Sequence, residues 1–244
     1  MTEPQPPARH RAVASYVHHR ARLTAGQQAA WRRWWPERGR DVAEIVGGNV
    51  PYDPPAWFGR TAPLVLEIGS GTGESTAALA AAEPWRDHIA VEVFEPGLAR
   101  LLMRIAETGL TNLVLLRGDA VALLRERVPE ASLDGMRIFF PDPWPKRRHH
   151  KRRLVQPAFV SLAASRLRPG CTLHLATDWA DYADQMLAVL EAEPLLENTV
   201  DGFAQRPVWR PVTKFEARAQ AEGRAVRDLI HRRRHAGHSS DHTS

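Results

Sequence analysis

A single cysteine, Cys171, is all that 244 residues contain. That scarcity excludes intramolecular disulfides and any zinc site built from several thiolates. Long apolar runs are missing as well, since nothing approaches the roughly 20 consecutive apolar residues that span a bilayer. A protein with no membrane partner is expected. The opening stretch, MTEPQPPARHRAVASYVHHRARL, lacks the apolar core of a secretory signal, and the expected location is the cytoplasm. Histidine is plentiful, at 11. His18/His19 and His149/His150, however, are adjacent pairs among Arg and Lys, where cationic repulsion opposes metal capture. No metal is expected.

Net charge is only +5, but its distribution is uneven. The first 40 residues, Lys146 to Arg153 and the residues just before the tail hold much of the excess. Such blocks imply a polyanionic partner. The oligomeric state is left open, a monomer being one reading.

Residues 1 to about 20 are Pro-rich and then basic, and read as a mobile arm able to touch RNA. Thr24 with Gln27 three positions later predicts a capped helix over Thr24 to Trp35, ended by Pro36. Residues 47–63 are breaker-rich and read as a linker. From there, short apolar runs alternate with helical stretches, the signature of βαβ units around a parallel sheet. Strands are expected over Leu64 to Ile68, His88 to Val93, Leu113 to Leu116, Gly135 to Phe140 and Thr172 to Ala176. Helices are expected to start near Glu74, Gly97, Val121, Gln156 and Tyr182. Runs such as LVLEI and IAVEV suit strands buried on both faces. The fold class is therefore α/β, a doubly wound, mostly parallel, Rossmann-like sheet. The expected organisation is a basic N-terminal extension over 1–55, one domain over 56–234 and a disordered polar tail over 235–244.

Glu67-Ile68-Gly69-Ser70-Gly71-Thr72-Gly73-Glu74 follows a strand and opens a helix. Its glycines, Gly69 and Gly71 among them, allow a tight turn and close approach to a nucleotide-like ligand. The spacing is G-x-G-x-G, and Glu74 stands where the third glycine of a dinucleotide fingerprint would be. A pyrophosphate would meet that carboxylate, whereas S-adenosyl-L-methionine has no phosphate and carries an amino group and a sulfonium. Glu92 ends the next strand, where an acid accepts ribose hydroxyls, and Asp119 ends the third, within reach of an adenine amino group. Three acids at successive strand ends favour an adenosyl cofactor over a nicotinamide one.

The fourth strand ends in Phe139-Phe140-Pro141-Asp142-Pro143-Trp144-Pro145, followed by the basic run Lys146 to Arg153. An acid between prolines at a strand end is held stiffly. Amino-group methyltransferases carry D/N-P-P-aromatic here; this chain has Asp142-Pro143-Trp144, which disfavours an exocyclic adenine amine as substrate. An unbroken basic run suits an anionic partner.

At this point the sequence resembles the bacterial, single-subunit tRNA (guanine-N7)-methyltransferase family. The resemblance spans about residues 10–232. It rests on RARLT at Arg20 to Thr24, EIGSGTG at Glu67 to Gly73, PDPWPKRRHHKRR at Pro141 to Arg153, ATDW at Ala176 to Trp179, and RPVTKFEARAQAEG at Arg210 to Gly223. It implies a class I fold using S-adenosyl-L-methionine, with cofactor contacts by Glu67, Glu92, Asp119 and Asp142. Asp142 is the implied catalytic residue. Implied substrate contacts are Lys146, Asp178, Thr213, Lys214, Phe215 and Glu216, with RNA met by Arg148, His149, His150, Lys151, Arg152 and Arg153. The implied product is 7-methylguanosine, expected at guanosine 46 in the tRNA variable loop. Ala219 and Gly223-Arg224 stand where the family pattern has Gly and Gly-His, while Asp228 and Leu229 keep its closing pattern.

Guanine N7 has an in-plane lone pair and no proton, so methylation there needs no base, and positioning dominates. A carboxylate beside the developing cation is stabilising. Asp142 is the candidate for that role or for accepting from the guanine edge, a role Asp178 and Glu216 also suit. The target base must be unstacked, and Trp144 or Phe215 offers an aromatic face. Two other readings are a methyltransferase for another RNA base or for protein, and an RNA-binding module with a vestigial pocket. The full acidic set argues against the second.

Overall fold

The computed structural model describes residues 22–235. The arm expected over residues 1 to about 20 and the tail beyond His235 lie outside them. Strands β1 (Gly39–Asp41), β2 (Leu64–Ile68), β3 (Asp87–Glu92), β4 (Leu113–Arg117), β5 (Leu133–Phe139), β6 (Leu167–Thr177), β7 (Leu196–Asn198) and β8 (Arg227–Arg233) share one sheet. Their order is β1-β4-β3-β2-β5-β6-β8-β7. The first six pair in parallel, and β8 runs antiparallel to β6 and β7. This is the doubly wound, mostly parallel sheet the alternating pattern predicts.

The helices are α1 (Ala25–Arg38), α2 (Val42–Val46), α3 (Pro54–Phe58), α4 (Glu74–Ala82), α5 (Glu95–Thr108), α6 (Ala120–Glu126), α7 (Pro157–Arg166), α8 (Ala180–Glu191) and α9 (Lys214–Ala221). Continuous apolar strands fit because both faces are covered. Along β3 and β4, Ala90, Leu113 and Leu115 pack with Leu98, Leu101, Leu102 and Ile105 of α5. Ile89, Val91, Val114 and Leu116 belong to the larger core on the other face, with Leu123 and Leu124 of α6 and Phe159 and Val160 of α7.

Thr24 and Gln27 form the expected capping box: the Thr24 Oγ1 accepts from Gln27 N–H, and Gln27 Oε1 accepts from Thr24 N–H at 2.9 Å. The expectation that Pro36 ends this helix is corrected, for α1 continues to Arg38, where Gly39 N–H donates to the Trp35 carbonyl. A proline removes one donor, and packing outweighs that loss. Trp31, Trp34 and Trp35 pack against the α5 side of the core, and Trp31 stacks on Trp35 at 4.1 Å. The residues before Leu64 are not all linker. β1 pairs with β4, and α3 forms under an Asp53 cap, whose Oδ1 accepts from Ala56 N–H at 3.2 Å.

Candidate active site

β2 lies at the centre of the sheet, where the chain turns from the β3–β4 side to the β5–β6 side. In open parallel sheets, ligands bind beyond the carboxyl ends of the strands at such a switch point. A cavity of about 310 Å³ opens there, lined by the loops after β2, β3, β4 and β5 and by Phe215 of α9.

Gly69 and Gly71 have φ of 81° and 55°, a region open to glycine and strained for other residues. A Cβ on either would meet no atom within 4 Å, so this space beside the cavity is left for a ligand. On its other side the loop is tight. A Cβ on Gly97, in the first turn of α5, would collide with the Gly71 carbonyl oxygen.

The four predicted carboxylates do not share one environment. Glu67 is buried at 6% exposure, accepts from Thr76 Oγ1 at 3.0 Å and is not among the cavity-lining residues. Burial pushes its carboxyl up to about 7, with the nearby Glu92 adding to the rise and Thr76 and Arg137 opposing it. Glu92 lines the cavity. Its Oε2 accepts from Gly71 N–H at 2.8 Å, and its Oε1 from Val93 N–H at 2.7 Å and Phe94 N–H at 2.8 Å. It therefore ties the glycine loop to the end of β3. Asp119 also lines the cavity and caps α6, accepting from Val121 N–H at 2.8 Å. Asp142 lines the cavity from the loop after β5 and is itself exposed.

That loop is backbone-strained on both sides of Asp142. Phe140 and Trp144 have φ of 54° and 44°, conformations that cost bulky residues on the order of 1–3 kcal/mol each. Two residues in left-handed backbone conformation and three prolines fix the carboxylate's position, beyond the stiffness read from the prolines alone. The expected strand end at Phe140 moves back to Phe139 for the same reason.

The basic run splits. Arg147–Arg152 forms a 3-10 helix in which Arg148, Lys151 and Arg152 are exposed, with Arg152 over the Trp144 ring at 4.9 Å. His149 and His150 are half-buried, and His149 packs edge-on to Trp144 at 5.9 Å. Residual desolvation, then the neighbouring cations, lower the His149 pKa. Arg153 is turned inward at 3% exposure. It donates to Pro143 O at 2.8 Å, Gln185 Oε1 at 2.7 Å and Asp181 Oδ2 at 2.7 Å, and covers the Tyr182 ring. It anchors the Asp142 loop to α8 instead of facing a phosphate.

The tetrapeptide of α9 divides in the same way. Thr213 caps the helix, accepting from Glu216 N–H at 3.0 Å. Phe215, 61% exposed, stacks on Phe140 at 6.1 Å at the cavity wall, and exposed Lys214 pairs with Glu74 at 2.8 Å. Glu216 is buried and accepts from Arg210 Nη1 at 2.6 Å. Asp178 pairs with Arg224, whose Nε donates to Oδ2 at 2.9 Å. Arg224 is one of the two residues, with Ala219, that depart from the family pattern. Lys146 is exposed at the start of the 3-10 helix. Sequence reading assigned no role to Arg210, Arg224 or Thr76; Arg210 carried a signal in its place in the RPVTKFE motif and Arg224 in its departure from the family pattern, while Thr76 carried none.

Among the described residues, no helix is long and apolar enough to cross a membrane, and no group of three or more His, Cys, Asp or Glu converges as a metal site. Solved structures with a similar fold include the 16S rRNA methyltransferase KamB, with TM-score 0.53 and 16% identity, covering 71% of this chain and 88% of that one. The antibiotic-resistance methyltransferase Kmr aligns with TM-score 0.54 and 15% identity, over 77% of this chain and 96% of that one. Residues 61–229 match a family described as putative methyltransferase. Curated relatives named tRNA (guanine-N(7)-)-methyltransferase include one from Streptomyces avermitilis, 51% identical over 91% of this chain and 76% of its own. Another, from Nocardia farcinica, is 52% identical over 89% of this chain and 83% of its own. With half of the aligned residues shared across most of both chains, this chain belongs to the tRNA (guanine-N(7)-)-methyltransferase family.

Proposed function

We propose that this chain methylates N7 of a guanine in tRNA, at guanosine 46 of the variable loop, forming 7-methylguanosine. The observation that carries the reading is one cavity lined by the glycine loop, Glu92, Asp119, Asp142 and Phe215, with an exposed basic helix starting five residues beyond Asp142. The residues suit S-adenosyl-L-methionine: glycine faces leave room for it, carboxylates answer its ribose and its positive charge, and no phosphate-binding group is needed. When bound, it supplies the methyl group on a sulfonium.

Glu92 and Asp119 are proposed to hold the ribose and the adenine edge, while Gly69 and Gly71 allow close approach. Glu67 acts one layer behind, holding Thr76 and so the first turn of α4. Asp142 is the proposed catalytic residue, its charge opposing the positive charge that grows on the purine. Phe215 and Trp144 offer aromatic faces to the unstacked guanine. Lys146, Lys214 and Thr213 are proposed contacts on the substrate side, with Asp178 and Glu216 supporting them through Arg224 and Arg210. Arg148, His149, His150, Lys151 and Arg152 form the proposed phosphate-binding face, and Arg153 holds that face in place. Bulk tRNA incubated with labelled cofactor and digested to nucleosides for mass spectrometry should yield labelled 7-methylguanosine. Label in any other nucleoside, or in none, would refute the assignment.

A further inference from the structure

A second cavity, of about 380 Å³, shares no lining residue with the first. Its floor is one face of β5 and β6, where Gly135 is register partner to Thr172 and Arg137 to His174. Glu83, Trp85 and Arg86, just past α4, form one side, and Trp209 forms another.

Arg137 is 5% exposed and spends Nη2 on both Glu83 oxygens, at 2.8 Å and 2.9 Å. Its Nη1 is buried with no hydrogen-bond partner among the described residues. His174, 2% exposed, holds Nε2 at 2.7 Å from Asp228 Oδ1, and its Nδ1 is likewise buried and without a partner there. Because Nε2 faces a carboxylate, it carries the proton, which leaves Nδ1 a lone-pair acceptor. The floor thus sets a charged donor beside a neutral acceptor. Trp209 lies edge-on to His174 at 5.4 Å and beneath the Arg137 guanidinium at 5.0 Å, and is 45% exposed; Trp85 is 60% exposed.

Those features select among ligands. An apolar ligand leaves Arg137 and His174 unsatisfied, at the cost of buried polar groups. A simple anion satisfies Arg137 but meets the His174 lone pair and the carboxylates of Glu83 and Asp134. A planar heterocycle whose edge carries an acceptor next to a donor answers both groups and stacks on indole. We propose that this cavity is a second nucleobase site, separate from the methyl-transfer cleft, taking either a free nucleotide or an unstacked base of the RNA. The inference draws on its own residues and stands or falls apart from the methylation reading.

The test uses the full chain with S-adenosylhomocysteine at saturation, so that the cofactor part of the first cleft is filled, and a Phe215→Ala control reports any nucleotide held in its base-accepting part. Guanosine, uridine and adenosine monophosphates are titrated by equilibrium dialysis, with inorganic phosphate as control, into wild type, Trp85→Ala, Trp209→Ala and Arg137→Gln. The nucleotides should bind and phosphate alone should not, and each Trp variant should weaken binding about tenfold. Trp85 is exposed and its loss leaves the core intact, so the result does not hinge on the buried Arg137. Direct tRNA affinity of the same variants separates the sources: a parallel loss identifies a base of the RNA, and unchanged affinity identifies a free nucleotide. No nucleotide binding together with unchanged tRNA affinity in all three variants overturns the site. Single-turnover methylation by Trp85→Ala reports on the first cleft independently.

Discussion

Arg210 donates from Nη1 to Glu216 at 2.6 Å and from Nη2 to Asp228 at 2.9 Å, with all three side chains almost fully buried. One guanidinium thus joins α9, which bears Phe215, to the antiparallel strand β8. Arg210→Met should leave buried Glu216 with only Arg206, 3.5 Å away, and buried Asp228 with only His174, and destabilise the fold by about 3–5 kcal/mol. Urea unfolding of the variant measures this, and a loss under about 1 kcal/mol would mean that the pair is dispensable.

Asp142→Asn preserves shape and removes charge. The single-turnover rate of methyl transfer at saturating cofactor and RNA should fall a hundredfold or more, on the order of 3–4 kcal/mol in the barrier, while the affinity for each ligand changes little. A near wild-type rate would transfer the electrostatic role elsewhere, and a loss confined to cofactor binding would make Asp142 a cofactor ligand only.

Glu92→Ala should weaken S-adenosyl-L-methionine binding by roughly 1.5–3 kcal/mol in calorimetry. Three backbone N–H groups of the glycine loop and of residues 93–94 lose their acceptor at the same time. Equal affinity in both proteins would remove Glu92 from the ribose site.

The basic helix makes opposite predictions for neighbouring arginines. Replacing exposed Arg148, Lys151 and Arg152 with Ala should flatten the salt dependence of tRNA binding by up to about 0.9 in slope per lost phosphate contact. Arg153→Ala should leave that slope unchanged and lower stability instead, because its guanidinium is spent on Pro143, Gln185 and Asp181. An unaltered slope in the triple variant would turn the helix away from the RNA.

Stability against acid should depend on two buried histidines. Burial, first of all, lowers His88 to about 3 and His231 to about 4. Between those values and the ordinary histidine range the unfolded chain binds more protons, so their contribution is present above about pH 6.5 and lost as pH falls toward 4 and 3. Glu67, raised to about 7, has the opposite sign and erodes stability as pH rises from about 4.5 to 7. Unfolding free energy measured from pH 4 to 8 should rise less steeply with pH on the acid side in His88→Gln, and more steeply between about 4.5 and 7 in Glu67→Gln. Identical slopes in variant and wild type would contradict these assignments.

Much of this molecule is legible before any coordinates. LVLEI marks β2 to the residue, because a doubly covered strand is apolar at all but one of its positions here, the exception being buried Glu67, and Thr24 with Gln27 marks the start of α1. β1 and β7 are three residues long, too short for any period to register. β8 reads RDLIHRR, a charged string whose Asp228 and His231 are nevertheless buried. Motif residues Gly69, Gly71, Glu92, Asp119, Asp142 and Phe215 line one cavity, yet no motif distinguishes outward Arg152 from inward Arg153, or exposed Phe215 from buried Glu216. Those differences arise from partners far along the chain, such as Asp181 for Arg153.

The contact between Gly97 and the Gly71 carbonyl ties two tasks to one position. The first turn of α5 rests directly on the loop that borders the cavity, and α5 in turn carries Trp31, Trp34 and Trp35 of α1. A loop that shifts by a few tenths of an ångström on filling its cavity must push α5 or be held back by it. For an engineer, residue 97 admits no side chain until residue 71 has been rebuilt, and a random library that varies one without the other should return glycine at both.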